Sequence, residues 1–149
     1  MIFEQLFDEK SSTYTYIISS GKGREGLIID PVIENTDIYL KFMNSMDLKL
    51  VKVIDTHIHA DHITGLNELH KRTNCLKIMG ENSKSEVIDL RVKENDKINI
   101  ENLELKTIYT PGHTDCSYSF LLNDKIFTGD TLLINGTGRT DFQNGDARA

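Results

Sequence analysis

Tryptophan is absent from this 149-residue sequence, and cysteine and proline each occur only twice. Cys75 and Cys116 form no CxxC pair, so they indicate little beyond reduced thiols. No apolar run approaches the roughly 20 residues of a membrane helix. The N-terminal stretch MIFEQLFDEK carries an acid where a secretory signal would carry positive charge. These absences predict a cytoplasmic protein with no membrane partner, and an organelle stays open as the alternative location.

Positive charge is also scarce, with 17 Lys and Arg against 23 Asp and Glu and a formal net charge of −6. Because nothing forms a basic stripe, nucleic acid and anionic lipid are disfavoured as partners, and a small-molecule substrate is favoured. The length and the 38% hydrophobic content are those of a folded globular protein. We therefore expect a single domain over residues 1–149.

Short β-rich runs alternate with a few helical patterns along the chain. The opening should be antiparallel strands, with Asp30-Pro31 ending the third, and a strand at 48–55 leads directly into a cluster of histidines. The expected strands cover residues 2–7, 13–19, 25–29, 48–55, 97–100, 103–109, 117–122 and 125–129. Three helices are expected: one that begins near Asn35, one over about 62–72 and one near 82–90.

The stretch THIHADHITG, residues 56–65, crowds His57, His59, Asp61 and His62 into an HxHxDH pattern. Neutral imidazoles and carboxylates bind metals when they converge on one point. His57 and His59 project to one side of an extended chain, while Asp61 and His62 begin a helix and turn toward a neighbouring point. The pattern predicts two adjacent metal positions, since burying these groups without a metal would need a costly set of partners.

Two further ligand-type residues stand in loops at strand ends. His113 lies in TPGHT, and Asp130 follows an apolar strand in FTGDT. Each alone is more often a turn or cap residue than a ligand, but HxHxDH makes the metal interpretation stronger for both. His70 lies on an expected helix and should be exposed to solvent.

These motifs resemble the metallo-β-lactamase superfamily, whose mark is HxHxDH followed by a later His, an Asp at a strand end and a final His. IIDPV at 28–32 is similar to that superfamily's early strand. Within it, THIHADHITG, TPGHT and FTGDTLLINGTGRTDFQNGD resemble the persulfide dioxygenase family. The resemblance covers almost the whole chain, and the GRTDFQ portion is its most specific part. It implies an α+β fold, the αββα sandwich, with metal at one edge between two sheets.

By position, the resemblance implies iron ligands at His57, His113 and Asp130 in a non-haem Fe(II) enzyme. The remaining cluster residues would orient ligands and water, or hold a second metal: His59, Asp61 and His62. The implied reaction of sulfide metabolism takes glutathione persulfide and O₂ to glutathione and sulfite. Arg139 is a candidate partner for a glutathione carboxylate, and a structural salt bridge is the alternative.

The sequence departs from the superfamily pattern in its last residues, because no histidine follows Asp130 before NGDARA. We therefore expect a fold incomplete at its C-terminus, and a homodimer is one assembly that would cover the open face. Two alternatives stay open. One is a glyoxalase II-like hydrolase of acylglutathione thioesters that uses two Zn²⁺ ions. The other is an inactive truncated fragment or association module.

Overall fold

Two β-sheets face each other in the computed structural model, which describes residues 1–57, 64–83, 87–111, 117–129, 132–133 and 136–137. The first sheet has strand order β1-β2-β3-β4-β5-β6 and the second has β10-β9-β8-β7. The strands of the first sheet are β1 (Ile2–Asp8), β2 (Thr13–Ser19), β3 (Glu25–Ile29), β4 (Lys49–Ile54), β5 (Leu76–Gly80) and β6 (Leu90–Val92). Those of the second are β7 (Lys97–Ile100), β8 (Leu103–Tyr109), β9 (Tyr118–Leu122) and β10 (Lys125–Phe127). A two-stranded pair follows, β11 (Leu132–Leu133) with β12 (Gly136–Thr137).

Pairing direction changes inside the first sheet. Strands β1 to β3 pair antiparallel, whereas β3 to β6 pair parallel. The parallel strands bring their carboxyl ends to one edge, where ligands commonly bind in sheets of this kind. The HxHxDH segment begins at this edge, directly after β4.

Helices α1 (Thr36–Ser45) and α2 (Leu66–Thr73) cover the outer face of the first sheet. Strand alternation explains this placement: Ile17 and Ile28 point to the helices, whereas Ile18 and Ile29 point to the second sheet. Gly26 has no Cβ where the Met43 side chain of α1 packs, so the helix can lie close to the sheet.

A second apolar cluster lies between the two sheets. Its centre is formed by Leu105, Phe120 and Ile54, none of which is exposed. The described residues thus form three successive layers, helices, sheet and sheet, and none of their helices is long and apolar enough to cross a membrane.

Most expected elements are confirmed, but two helices are not as expected. Thr64 forms a bridge with Val32, and the second helix begins only at Leu66. The prediction of a helix near 82–90 is wrong for the described residues, 82–83 and 87–90. These residues form a turn, bends and the start of β6. In both cases pairing with a distant segment, Val32 for one and β5 for the other, outweighs local helical spacing.

Candidate metal centre

Three buried residues, Asp55, Thr56 and His57, continue the chain past the carboxyl end of β4. They are only 1–2% exposed. The Asp55 N–H donates to the carbonyl oxygen of Ile78 at 3.1 Å, and the Thr56 carbonyl accepts from the Tyr118 N–H at 2.8 Å. The segment is therefore held by β5 on one side and by the second sheet on the other.

The carboxylate of Asp30 organises this segment from the end of the neighbouring strand β3. Its Oδ1 accepts the Thr56 N–H at 2.8 Å, and both its oxygens lie within 3.1 Å of the Thr56 hydroxyl. The Asp30 N–H donates to Ile54 O at 2.8 Å, and its φ of 55° is the left-handed conformation that Asp adopts more readily than most residues. Sequence reasoning treated Asp30 only as a strand stop, although an acid directly after a buried parallel strand was a usable signal.

The His57 imidazole is suited to binding a metal. Its Nδ1 lies 2.9 Å from Thr56 Oγ1. Metal-binding histidines usually engage their second ring nitrogen with an oxygen in this way, which orients the ring and leaves the other nitrogen for the metal. The expected ligand His57 thus has a supporting hydrogen bond of the right kind.

Gly129 brings the backbone of the β10 end against the same group. A Cβ added there would overlap Thr56 Oγ1 and lie 3.2 Å from His57 Nδ1, and the φ of Gly129 is 55°. Glycine is therefore required by the lack of space, and its backbone lies in the left-handed region that favours glycine. Because Asp130 is the next residue in sequence, the chain reaches the neighbourhood of His57 immediately before that expected ligand.

The ends of the segment that carries His113 also meet near Thr56. The Thr110 N–H donates to the Ser117 carbonyl at 3.1 Å, and the hydroxyls of Thr110 and Ser119 are 2.8 Å apart. Tyr118, which lies between Ser117 and Ser119, donates its N–H to the Thr56 carbonyl oxygen. The stems on either side of His113 are thus anchored beside the strand end that carries His57.

The other expected site residues lie outside the described residues: His59, Asp61, His62, His113, Asp130 and Arg139. Their convergence remains a prediction. Within the described ranges, no group of three His, Cys, Asp or Glu side chains is arranged to hold a metal. His70, expected to be exposed, is only half-exposed, and its Nδ1 lies 2.7 Å from the Cys75 carbonyl oxygen.

Two other titratable groups near the core are poor candidates for catalysis. Burial raises the pKa of the Cys75 thiol, which keeps it protonated and unreactive. Burial, followed by the nearby Glu81 carboxylate, raises the pKa of Tyr118 to about 12. Tyr118 therefore acts through its packing, which includes close contact with Tyr109 at 4.9 Å between ring centroids.

Comparison with known proteins gives matches in both sequence and structure. A family model described as the metallo-beta-lactamase superfamily matches residues 9–149. Mouse persulfide dioxygenase ETHE1, described as mitochondrial, is 40% identical over 99% of this chain and 59% of its own length. The crystal structure of ETHE1 from Myxococcus xanthus has a TM-score of 0.95 and 46% identity, and it covers 98% of this chain and 64% of that chain. A Dictyostelium discoideum hydroxyacylglutathione hydrolase is 31% identical over 85% of this chain and 50% of that protein.

These matches bear directly on the expectations from sequence. The expected likeness to the superfamily and to its persulfide dioxygenases is confirmed, and so is the α+β sandwich fold. The chain spans 59% of the length of the mouse relative.

Proposed function

We propose a function that starts from the family, since this chain belongs to the metallo-β-lactamase superfamily. The proposed function is that of a non-haem Fe(II) persulfide dioxygenase acting on glutathione persulfide. The observation that carries the proposal is the likeness to persulfide dioxygenases across 98–99% of the chain, together with the supported imidazole of His57. The coverage of those relatives is partial, so the activity is proposed for the protein to which these residues belong.

The proposed iron ligands are His57, His113 and Asp130. Two imidazoles and one carboxylate are the donor set that non-haem Fe(II) oxygenases use, and the set leaves coordination positions open. Bound there, iron would supply a redox centre at which the substrate sulfur and O₂ react. The protein's own contribution is to orient His57 through Thr56 and Asp30 and to bury the group away from bulk water.

The proposed reaction balances with water as the third reactant: glutathione persulfide, O₂ and H₂O give glutathione, sulfite and two protons. Electrons from the outer sulfur reduce O₂, the sulfur–sulfur bond breaks, and the inner sulfur leaves as the thiol. Arg139 is proposed to pair with a carboxylate of the glutathione portion, since guanidinium binds carboxylates through two parallel hydrogen bonds.

The remaining residues of the cluster, His59, Asp61 and His62, are proposed to orient the ligands and local water. In the alternative function they would hold a second metal. That alternative is a dinuclear-zinc hydrolase of acylglutathione thioesters, favoured by the 31% identity to a hydroxyacylglutathione hydrolase. The higher identity to the persulfide dioxygenases favours the iron enzyme. The predicted cytoplasmic location stays a prediction, and the mouse relative is described as mitochondrial.

Oxygen consumption tests the proposed function. The purified protein is loaded anaerobically with Fe(II), glutathione persulfide is added, and O₂ uptake and sulfite are measured together. We expect equal amounts of O₂ consumed and sulfite formed. Iron-loaded protein that consumes no O₂ would refute the proposal. Protein that in addition cleaves no thioester when loaded with Zn²⁺ would support the alternative of an inactive fragment or association module.

A second assay separates the two enzymes. The protein is loaded with Zn²⁺ and offered an acylglutathione thioester, whose cleavage is followed by release of the thiol. A zinc hydrolase should bind two metal ions per chain and cleave the thioester. A persulfide dioxygenase should bind one metal ion per chain and leave the thioester intact.

A further inference from the structure

A chain of hydrogen bonds runs from Asp30 through Thr56 to His57, the next residue in sequence, and only the fold brings Asp30 to this pair from 26 positions earlier. All three are buried, with exposures of 4%, 1% and 1%. Thr56 Oγ1 lies 3.1 and 2.9 Å from the two carboxylate oxygens of Asp30 and 2.9 Å from His57 Nδ1. One hydroxyl therefore joins a carboxylate and an imidazole.

The number of protons on that hydroxyl determines the direction of both bonds. A threonine hydroxyl has one proton to donate and lone pairs to accept, whereas a carboxylate can only accept. Since the Thr56 proton goes to Asp30, the Thr56 oxygen must accept from His57. His57 then carries its proton on Nδ1, and Nε2 has the lone pair.

Contacts on both the backbone and the side chain of Thr56 restrict the position of its hydroxyl. Its N–H is bound by Asp30 Oδ1 and its carbonyl by the Tyr118 N–H, both at 2.8 Å. Gly129 packs against the Thr56 side chain so closely that an added Cβ would overlap its oxygen. The hydroxyl is thus held from two sheets and by the residue that precedes Asp130.

We propose that Asp30 and Thr56 are positioning residues that hold His57 in the tautomer protonated on Nδ1 and present the Nε2 lone pair to the metal. Imidazole binds a metal only through an unprotonated nitrogen, so the wrong tautomer would have to be displaced before binding. The identity of the metal rests on the proposed function, whereas the tautomer follows from the hydrogen bonds that join these three residues.

Nitrogen-15 NMR of the metal-free protein tests the tautomer directly, because the protonated and unprotonated ring nitrogens have distinct chemical shifts. We expect Nδ1–H in the wild type and in Thr56→Ser, which keeps the hydroxyl. Thr56→Val removes it at nearly constant shape, and the signal should become a mixture of tautomers. Thr107→Val is the matched control, since the Thr107 hydroxyl is equally buried but has no hydrogen-bond partner among the described residues.

Asp30→Asn tests the carboxylate, and asparagine tolerates the left-handed backbone at this position. Its NH₂ can donate to the Thr56 hydroxyl, which can then donate to His57 Nδ1. We expect a second tautomer to appear. Wild-type protein protonated on Nε2, or a tautomer unchanged in both Thr56→Val and Asp30→Asn, would overturn the proposal.

Metal affinity gives an independent measure that needs no turnover. In competition with a chelator, Fe(II) should bind Thr56→Val about 10- to 100-fold more weakly than wild type. Thr56→Ser should restore the affinity, and Thr107→Val should leave it unchanged. Equal loss in Thr56→Ser and Thr56→Val would contradict a role for the hydroxyl. Wild-type protein that has the Nδ1–H tautomer but binds zinc and not iron would refute the proposed function and leave the positioning role standing.

Discussion

Single residues in this protein differ in how far their chemistry can be inferred from their neighbours in the chain. His57 stands in a crowded motif and invites a metal interpretation at once. Asp30 stands beside a proline in a strand-ending dipeptide, and its role depends on Thr56, which lies 26 positions later. Substitution of single side chains tests which of them bind metal and substrate.

Removal of a proposed ligand should abolish metal binding. His113→Ala and Asp130→Ala should each lose stoichiometric iron, because the two ligands that remain cannot hold Fe(II) against a chelator. Iron bound per chain after reconstitution is the measurement. Cys75→Ser is the control and should keep its iron, since Cys75 is buried in the helix-facing core. Stoichiometric iron in both ligand variants would contradict the assignment.

Loss of the proposed substrate contact should affect binding more than turnover. Arg139→Ala should raise KM for glutathione persulfide about 10-fold or more, the size expected for a lost charge-assisted hydrogen bond, with a smaller effect on kcat. Steady-state O₂ uptake measures both constants. Arg72→Ala, which removes an exposed arginine paired with Asp37 on α1, is the control. An unchanged KM would remove Arg139 from the site.

Polar contacts join secondary-structure elements across the two sheets. The turn between β7 and β8 is attached to the start of β3 by Glu101, whose carboxylate accepts from Arg24 Nη1 at 2.7 Å. It also accepts from the Glu25 N–H at 3.1 Å and the Ser20 hydroxyl at 3.2 Å. The Arg24 guanidinium, followed by the Glu25 N–H, lowers the pKa of Glu101.

This lowered pKa predicts a pH-dependent contribution to stability. A carboxyl group whose pKa is lower in the folded protein stabilises the fold above its unfolded pKa, and that contribution is lost as pH falls through the folded pKa. Glu101→Gln should therefore be less stable than wild type at neutral pH and equally stable in acid below the folded pKa. Urea unfolding at a series of pH values measures the difference.

A surface charge change at the same hairpin provides the control for that series. Glu104→Gln removes a carboxylate whose exposed partner is Lys97, 3.4 Å away within the same sheet. Its effect at neutral pH should be smaller than that of Glu101→Gln, because exposed ion pairs contribute little. A Glu101→Gln destabilisation that persists unchanged in acid would contradict a stabilising contribution from the ionised carboxylate.

The whole molecule depends on the apolar layer between its two sheets. Strand β9 has one face in this layer and one toward solvent: Phe120 is fully buried, whereas Leu121 is 36% exposed. Gly80 of the first sheet has no side chain where the Tyr118 ring packs, so the sheets approach closely at this point. The layer places the end of β4 against the second sheet, where the metal centre is proposed.

Truncation of the buried face should therefore cost far more than truncation of the exposed face. Phe120→Ala should lower the free energy of unfolding by about 3–5 kcal/mol, through lost burial and a cavity. Leu121→Ala, on the same strand, should change it by less than about 1 kcal/mol. Urea denaturation compares the two, and similar losses would show that the sheets do not share this core.

The sequence by itself determined the elements whose signals are local. Apolar alternation predicted strands such as β2 and β8 closely, and helical spacing predicted α1, because each pattern follows from the direction of side chains along the backbone. The HxHxDH motif likewise predicted a metal site from side-chain type and spacing, and the match to the metallo-beta-lactamase superfamily supports that prediction.

Only the tertiary structure decided the features that depend on distant partners. Helix α2 begins late because the Gly65 N–H donates to the Pro31 carbonyl and Thr64 pairs with Val32. Residues expected to be helical near Leu90 instead join the sheet beside β5. The link from Asp30 to Thr56 exists because parallel pairing brings the ends of β3 and β4 to one edge. These contacts join residues far apart in the chain, and periodicity within one segment carries no information about them.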